Sequence, residues 1–162
     1  MNEMKKELKV FKVANTKQIT PNMIRITLVG KNLKGFNYDQ IGGYVKLHFS
    51  SKTDDKKLQR PYTIRGYRKK LREIDIDFAT HNSDKAIASN WAKKAKMGDI
   101  ISLTGPIPKK NLNNNADWFY FVGDMSAIPS IMVNLESLPT NSKGIVVFEI
   151  FTESDKQKIK LP

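Results

Sequence analysis

RPYTIR, residues Arg60 to Arg65, carries the most specific pattern in the sequence. Side chains alternate between the two faces of an extended segment, so Arg60 and Tyr62 share one face and Thr63 lies on the other. A guanidinium can hold a phosphate bidentately, a phenol can stack on a planar ring, and a hydroxyl can bond a ring nitrogen. The pattern therefore suits a ligand with a ring and a phosphate, although Arg and Tyr also occur on ordinary surface strands.

The segments around RPYTIR alternate apolar and polar residues, as half-buried β-strands do. The predicted strands are Leu8 to Val13, Met23 to Val29, Val45 to Phe49, Tyr62 to Ile64, Ile74 to Ala79 and Ile100 to Leu103. Pro21-Asn22 indicates a turn between the first two strands, and Ser50 to Lys57 indicates a polar loop. Six short strands with turns between them predict a closed or nearly closed antiparallel barrel.

One helix interrupts the strands. Ala86 to Ala95 (AIASNWAKKA) is rich in helix formers, and Gly98 stands where a glycine commonly ends a helix. We expect Trp91 on this helix to pack against the barrel.

The pattern changes after Asn111 to Asn115. Two unbroken apolar segments, Trp118 to Val122 and Ile145 to Phe151, flank a predicted helix from Ile128 to Leu138, which is typical of a β-α-β unit with buried parallel strands. Two strands bury too little surface for a complete domain. We therefore predict a mainly β chain with an α/β tail, in which residues 1–113 form the barrel and residues 114–162 an incomplete α/β domain.

The charge of the chain is its unusual bulk property. Lys and Arg number 28 against 16 Asp and Glu among 162 residues, a formal charge of +12. Such a balance favours nucleic acid, phosphorylated cofactors, anionic metal chelates or acidic membrane as partners, but a lysine-rich solvated surface explains it equally well.

Other classes are excluded by composition. Without cysteine the chain cannot form disulfides, thiolate nucleophiles or cysteine-ligated iron–sulfur and zinc centres. With only two histidines we also expect no resident metal ion. The sequence has no apolar run of about 18 residues and no signal peptide, so we expect a cytoplasmic protein.

Five motifs resemble, in order and spacing, those of the siderophore-interacting protein family within the ferredoxin reductase-like barrels. They are RPYTIR, IDIDFATH (Ile74 to His81), AIASNWA (Ala86 to Ala92), KMGDIISLTGP (Lys96 to Pro106) and FVGDMSAIPSI (Phe121 to Ile131). GGYVKLHF (Gly42 to Phe49) also matches the strand that precedes the flavin motif. The resemblance implies a six-stranded antiparallel Greek-key barrel that binds FAD, followed by an incomplete nicotinamide domain.

The resemblance also implies roles for individual residues. Arg60 would neutralise the FAD pyrophosphate, Tyr62 would lie against the isoalloxazine, and Thr63 would bond the ring near its reactive nitrogen. The further implied cofactor contacts are Phe78, Ala79, His81 and the helix-opening residues Ile87, Ala88 and Ser89, whose N–H groups attract anions and whose serine hydroxyl could add to them. For His81 and for the helix start, a purely structural role is the alternative.

Lys46 corresponds to a lysine that, in the family, helps to attract the anionic ferric siderophore. An ordinary solvated strand lysine is an equally good interpretation. His48 on the same strand is expected to be structural.

The implied activity is FAD-dependent reduction of a ferric siderophore, with NAD(P)H or reduced ferredoxin, a redox partner protein, as electron donor. Outer-sphere electron transfer needs positioning alone, so we expect no catalytic side chain. The alternatives are a flavin-binding module without turnover and a basic barrel that binds nucleic acid. We expect neither nucleic acid nor membrane as a partner, and we expect self-association, because an incomplete β-α-β unit exposes apolar surface.

Four features depart from the family pattern. Ile107 stands where members commonly have arginine, Met125 stands where they have glutamate, and the loop from His81 to Lys85 lacks a glycine. Asn and Asp can supply the left-handed backbone in that loop. The sequence stops at Pro162, short of most of the nicotinamide domain, so NAD(P)H binding by this chain is an open expectation.

Overall fold

A computed structural model of the chain describes residues 7–33, 36–49, 58–110 and 112–160. Six strands form a closed barrel: β1 Lys9–Thr20, β2 Met23–Val29, β3 Tyr44–Phe49, β4 Leu58–Arg68, β5 Glu73–Ala79 and β6 Ile100–Ile107. Their order around the barrel is β1-β2-β5-β4-β3-β6, and every pair is antiparallel. The Greek-key barrel predicted from the sequence is confirmed.

Three strands are at least four residues longer than predicted. β6 runs to Ile107 instead of Leu103, because Thr104 and Ile107 still pair with β3. β1 continues to Thr20 because its exposed polar residues still pair with β2 after a register shift beyond Val13. β4 spans Leu58–Arg68 instead of Tyr62 to Ile64, since its first half pairs with β3 and its second half with β5. Polar outward residues hide the extensions of β1 and β4 from the alternation pattern. The predicted loop from Ser50 to Lys57 lies outside the described residues.

β5 shows how alternation divides the barrel into an inner and an outer face. Ile74, Ile76 and Phe78 are fully buried in the core. Between them, Asp75 and Asp77 face outward, yet they are almost buried as well. Each aspartate needs a partner there, because an unpaired buried charge is costly.

Ion pairs supply these partners. Arg25 Nε and Nη2 donate to Asp77 at 2.7 and 2.8 Å, and Arg68 donates two hydrogen bonds to Asp75 at 2.6 and 2.7 Å. Burial raises the pKa of Asp75, but hydrogen bonds from Arg68 and Thr27 outweigh it and hold the pKa below its ordinary value. The outer face of β2, β5 and β4 is thus fixed by a charged ladder.

The tail forms the expected β-α-β unit: β7 Phe119–Gly123, α2 Ile128–Glu136 and β8 Gly144–Phe148, with the two strands parallel. Pro129 lies in the first turn of α2, as expected. β8 ends three residues before Phe151 and α2 two residues before Leu138, which corrects both predicted ends. β8 stops because β7, its partner, ends at Gly123, and the chain then turns into a short 3₁₀ helix, Glu153–Asp155.

The expectation that this incomplete unit leaves apolar surface exposed agrees with the structure. The unbroken apolar strands indicated buried strands, but α2 covers only one face of the sheet. The other face carries five exposed apolar side chains: Trp118, Tyr120, Val122, Ile145 and Val147.

A buried carboxylate joins the tail to the barrel. Asp155 is fully buried and accepts hydrogen bonds from Thr20 Oγ1 at 2.8 Å and from Asn22 N and Nδ2 at 2.9 Å each. Burial raises the pKa of Asp155, but these hydrogen bonds outweigh it and lower the pKa to about 2. A bidentate pair between Arg65 and Glu136, at 2.6 and 3.0 Å, adds a second link. The two units therefore present a fixed interface.

The remaining helix, α1 Ile87–Lys94, lies against β5, and Trp91 packs on Phe49 and Phe78 as expected. No helix in the described part of the chain is long and apolar enough to cross a membrane.

Candidate functional site: a cleft between the barrel and the α/β unit

A cleft of about 620 Å³ lies where the barrel, the start of α1 and the tail meet. Its lining residues are Arg60, Tyr62, Ala79, His81, Lys85, Ala86, Ile87, Ala88, Ser89, Asp124, Met125, Ser126, Glu149 and Phe151. Seven of the residues singled out in the sequence as cofactor contacts thus come together: Arg60, Tyr62, Ala79, His81, Ile87, Ala88 and Ser89.

Tyr62 forms a half-buried aromatic wall of the cleft. Its ring centroid lies 4.3 Å from that of Phe78, which lies 5.6 Å from Trp91. Phe78 itself is fully buried and does not line the cleft, so its placement supports Tyr62 instead of offering a surface to a ligand. Burial raises the pKa of the Tyr62 phenol to about 12, although the positive charge of Arg60 opposes the shift. Tyr62 therefore presents a neutral phenol at physiological pH.

Arg60 provides an accessible positive charge. Its Nη1 donates to the Gln59 carbonyl at 2.9 Å, and no carboxylate among the described residues pairs with it. The other arginines on β4 differ, because Arg65 and Arg68 are both held by acidic side chains. Arg60 is thus the arginine of this strand that remains available to an anionic ligand.

The start of α1 supplies two amide donors. The N–H groups of Ala88 and Ser89 have no hydrogen-bond acceptor within the described ranges, as expected for the first turn of a helix. The Ile87 N–H differs from the expectation, since it donates to the Lys85 carbonyl at 3.0 Å. The Ser89 side chain also differs: its hydroxyl is buried and donates to the His81 carbonyl at 3.1 Å. It therefore has no proton left for an anion.

Ser89 and Lys93 fix the end of β5. The Ser89 hydroxyl accepts from the His81 N–H at 3.0 Å, and Lys93 Nζ donates to the His81 carbonyl at 2.9 Å. The loop that follows needs no glycine, because Arg72 is the one non-glycine residue with positive φ in the described ranges. The expected left-handed Asn or Asp is therefore absent from this loop.

A smaller hollow of about 190 Å³ adjoins the cleft and shares four of its residues. The hollow is lined by Arg60, Pro61, Tyr62, Thr63, Asp77, Ala79, Ser126 and Pro129. It brings Thr63 to the site from the opposite face of β4. Thr63 and Tyr62 thus lie beside one continuous recess.

Lys46 does not line either recess. It lies on the outer face of β3, in register with Pro61 on one side and Thr104 on the other. His48, two residues further along, lies within 3.3 Å of the Thr104 hydroxyl, which agrees with a structural role. Lys46 is nevertheless one strand away from Pro61, which borders the smaller hollow.

The tail contributes an acidic wall that the sequence analysis missed. Glu149 and Phe151 follow β8, and Asp124 follows β7, at the edge where open α/β sheets bind ligands. Asp124 Oδ1 accepts hydrogen bonds from Ser126 Oγ at 2.6 Å and Ser126 N at 2.9 Å, and these lower its pKa. Phe151 was assigned to a strand, which hid it. Glu149 was assigned to the same strand. The available signal was the position of Asp124, shortly after the predicted strand Trp118 to Val122.

The described residues hold no cluster of three or more His, Asp or Glu side chains suited to a metal ion. The cleft thus offers the rings of Tyr62 and Phe151, the Arg60 guanidinium, two amide donors without an acceptor in the described ranges, and two carboxylates. Such a set can hold an elongated ligand with a planar ring and a phosphate group.

Two family models match the chain. The siderophore-interacting FAD-binding domain matches residues 12–59 and 48–110, and the siderophore-interacting protein domain matches residues 116–162. Together they include most of the described barrel and the whole tail.

Individual relatives agree with these matches. The ferric vibriobactin reductase ViuB of Vibrio cholerae is 34% identical over 163 residues, which cover 90% of this chain and 60% of that protein. The NADPH-dependent ferric-chelate reductase of Escherichia coli is 29% identical over 150 residues, covering 82% of this chain and 57% of that one. The chain therefore spans less than two thirds of the length of these relatives.

A solved structure shares the arrangement of barrel and tail. The siderophore-interacting protein SipS from Aeromonas hydrophila superposes with a TM-score of 0.85 at 27% identity, over 97% of this chain and 64% of that one. More distant ferredoxin reductase-like proteins share the fold alone.

Proposed function

Because the chain belongs to the siderophore-interacting protein family, we propose that it is the FAD-binding part of a ferric-siderophore reductase. The observation that carries the proposal is the meeting of an unpaired Arg60, two free amide donors and the Tyr62 ring in one cleft. We also propose a division into a barrel domain, residues 1–113, and the start of a nicotinamide-type domain, residues 114–162.

The residues present fit FAD. Arg60 and the N–H groups of Ala88 and Ser89 are three donors without acidic partners, as the two phosphates of a dinucleotide require. Tyr62 offers a face held by Phe78 behind it, and Thr63 lies at the edge of the same recess. Ala79 and His81 border the recess where β5 ends.

Each group has a positioning role. Arg60 and the start of α1 neutralise charge, whereas Tyr62 fixes the plane of the ring and excludes water from one side of it. Since burial keeps the Tyr62 phenol protonated, its hydroxyl is able to donate a hydrogen bond and adds no negative charge. When bound, FAD would supply the redox chemistry, namely acceptance of a hydride from a nicotinamide donor and single-electron transfer to Fe(III).

The substrate is an anionic ferric siderophore, and the released product is Fe(II). ViuB is named for ferric vibriobactin and the Escherichia coli relative for ferric chelates, which supports this substrate class. Lys46, in register with Pro61 beside the smaller hollow, would attract the anionic chelate to this side of the barrel. NAD(P)H is the electron donor, in keeping with the name of the Escherichia coli relative, and reduced ferredoxin is the alternative. A cytoplasmic location stays a prediction.

The decisive experiment is an absorption spectrum of the purified protein before and after addition of FAD. Flavin bands that stay with the protein through gel filtration support the proposed site. Photoreduced FAD and a ferric tris-catecholate are then supplied, and Fe(II) is trapped with ferrozine, which bypasses any nicotinamide site. Binding without iron reduction indicates a flavin-binding module, whereas no binding at excess FAD contradicts the proposal.

Lys46 is tested separately. Lys46→Gln is expected to raise the KM for the ferric chelate severalfold at low salt and to leave FAD affinity unchanged, because a nearby charge steers an anionic substrate. The matched control is Lys17→Gln, an exposed strand lysine at the end of β1. Equal effects of both substitutions contradict a local role for Lys46.

A further inference from the structure

A shallow hollow of about 420 Å³ lies at the end of the barrel opposite to the FAD cleft. It is lined by Val10, Phe11, Lys12, Val29, Gly30, Lys31, Leu71, Arg72 and Ile100. Three of these side chains are aliphatic and strongly exposed: Leu71 at 60%, Ile100 at 66% and Val10 at 52%. None of the nine is acidic, so this end of the barrel combines an apolar surface with positive charge.

The turn between β4 and β5 concentrates both properties. Its four residues, Lys69, Lys70, Leu71 and Arg72, are all exposed. Leu71 thus lies at the tip of a hairpin between cations, and no carboxylate of the described residues pairs with those cations. Leu71 forms an exposed apolar patch with Val10 and Ile100 beside these cations, and apolar patches rimmed by polar residues mark interaction surfaces.

We propose that this end of the barrel, the 69–72 turn and the hollow beside it, docks on an anionic lipid bilayer. Aliphatic side chains at the headgroup boundary enter the acyl region while neighbouring lysines and arginines stay at the phosphates. Lys12 and Lys31, on β1 and after β2, border the hollow and extend the cationic rim. This proposal goes beyond the proposed reductase function and does not depend on FAD.

A bilayer fits better than nucleic acid. Proteins that hold single strands stack bases on exposed aromatic rings, but Phe11, the aromatic residue of this hollow, is only 1% exposed. The chain also carries a formal charge of +12, which favours a broad anionic surface over a single acidic group. The sequence-based expectation of no membrane partner is the alternative that the test below decides.

Docking there leaves the cleft accessible. β5 begins at Glu73 beside the turn and ends at Ala79 in the cleft. Six steps along a strand span about 20 Å, so the cleft opens well above the bilayer surface. The FAD site and the substrate path remain in solvent when the turn touches lipid.

The test is co-sedimentation of the whole chain with vesicles of phosphatidylcholine and phosphatidylglycerol in equal parts, compared with vesicles of phosphatidylcholine alone. Binding to the anionic vesicles only is expected. Lys69→Gln with Lys70→Gln should weaken it about 25-fold, since each cation near an anionic surface contributes about fivefold. Leu71→Ser should weaken it about tenfold without any change of charge.

The matched control removes the same charge elsewhere: Lys17→Gln with Lys143→Gln, two exposed lysines outside the hollow. Binding equal to that of the unchanged chain is expected. If the control variant loses as much vesicle binding as the turn variant, or if Leu71→Ser has no effect, the chain adsorbs to the vesicles by its net charge alone. Either result overturns the proposal. Absence of binding to anionic vesicles also overturns the proposal. Binding of single-stranded DNA is measured for the same variants, and a turn variant that loses DNA binding but keeps vesicle binding overturns the proposal as well.

Discussion

The barrel and the two-stranded sheet of the tail are built from similar apolar strands, yet they bury them very differently. Ile26, Ile64 and Ile76 of the barrel have no exposed surface, whereas Ile145 and Val122 of the tail are 52% and 58% exposed. A closed barrel covers its inner face by itself, but an open parallel sheet needs a layer on each face. Closure, and not strand composition, decides which residues are buried.

The same difference shapes the candidate site. Its barrel wall, with Arg60 and Tyr62, is held by strand pairing on both sides of β4. Its other wall, with Asp124 and Glu149, is held through Asp155 and the Arg65–Glu136 pair. An apolar cluster of Met23 with Met125, Ile128 and Met132 adds to these polar links. We therefore expect the first wall to depend on strand pairing and the second on side-chain contacts between the two units.

The largest effect is expected from matched isoleucines in the two regions. Ile76→Ala should lower the free energy of unfolding by about 3 kcal/mol, because it leaves a cavity in a closed core. Ile145→Ala should change it by less than about 0.5 kcal/mol, because the side chain is already half in solvent. Urea unfolding followed by circular dichroism measures both. Similar losses in the two variants would mean that another surface covers the sheet.

Loss of the Asp155 contacts should have the next largest effect. Asp155→Asn removes a buried carboxylate that accepts from Thr20 and Asn22, so we expect a loss of about 2 kcal/mol in the free energy of unfolding. Glu153→Gln is the control, since that exposed carboxylate pairs only with the exposed Lys156. A control loss as large as that of Asp155→Asn contradicts the special role of the buried group.

The pKa of Asp155 adds a pH dependence to this prediction. The folded pKa is about 2 against an ordinary 3.8, so the contribution is fully present above the ordinary value and is lost as pH falls towards 2. Unfolding of the unchanged chain should therefore become easier through this window. Asp155→Asn should show a weaker acid dependence there, and equal slopes would contradict the assignment.

The barrel was predicted well because each strand has one face in water and one face in the core. This arrangement produces a clear alternation of polar and apolar residues in the sequence. IDIDFA gave β5 almost to the residue, since Ile74, Ile76 and Phe78 are all inside. The sequence predicted β4 poorly, because Gln59, Arg60 and Pro61 are all exposed and the first half of the strand shows no alternation.

In the tail and the site, the features that the sequence did not predict depend on tertiary contacts. No local pattern shows that Asp155 is bonded to Asn22, 133 residues away, or that the Ser89 hydroxyl is occupied by His81. The unbroken apolar strands correctly predicted a parallel pair, and the incompleteness of the unit predicted exposed apolar surface, but neither showed which face α2 leaves open. Glu149 and Phe151 belong to the cleft only because the tail is fixed against the barrel.

Substitutions in the two walls of the cleft should differ in their effect on FAD affinity. Arg60→Ala should weaken FAD binding about 30-fold, in line with the loss of a charge-assisted hydrogen bond to phosphate. Glu149→Gln in the other wall should change it less than about threefold, because that carboxylate offers no contact to an anion. Quenching of flavin fluorescence measures both, with Arg72→Ala as the distant control. A larger effect of Glu149→Gln would assign the ligand to the tail instead of the barrel.

A substitution at the open face of the sheet should have the smallest effect on folding. It should nevertheless change the molecular mass of the protein in solution, because it disrupts self-association. Tyr120 is 63% exposed beside Trp118, so we predict that two chains associate through this face at high concentration. Tyr120→Lys should shift the sedimentation profile to the monomer while changing the free energy of unfolding by less than about 0.5 kcal/mol. Thr16→Lys on the exposed part of β1 adds the same charge and should leave association intact. A strictly monomeric profile of the unchanged chain would contradict the prediction, because it would show that the open face does not mediate self-association.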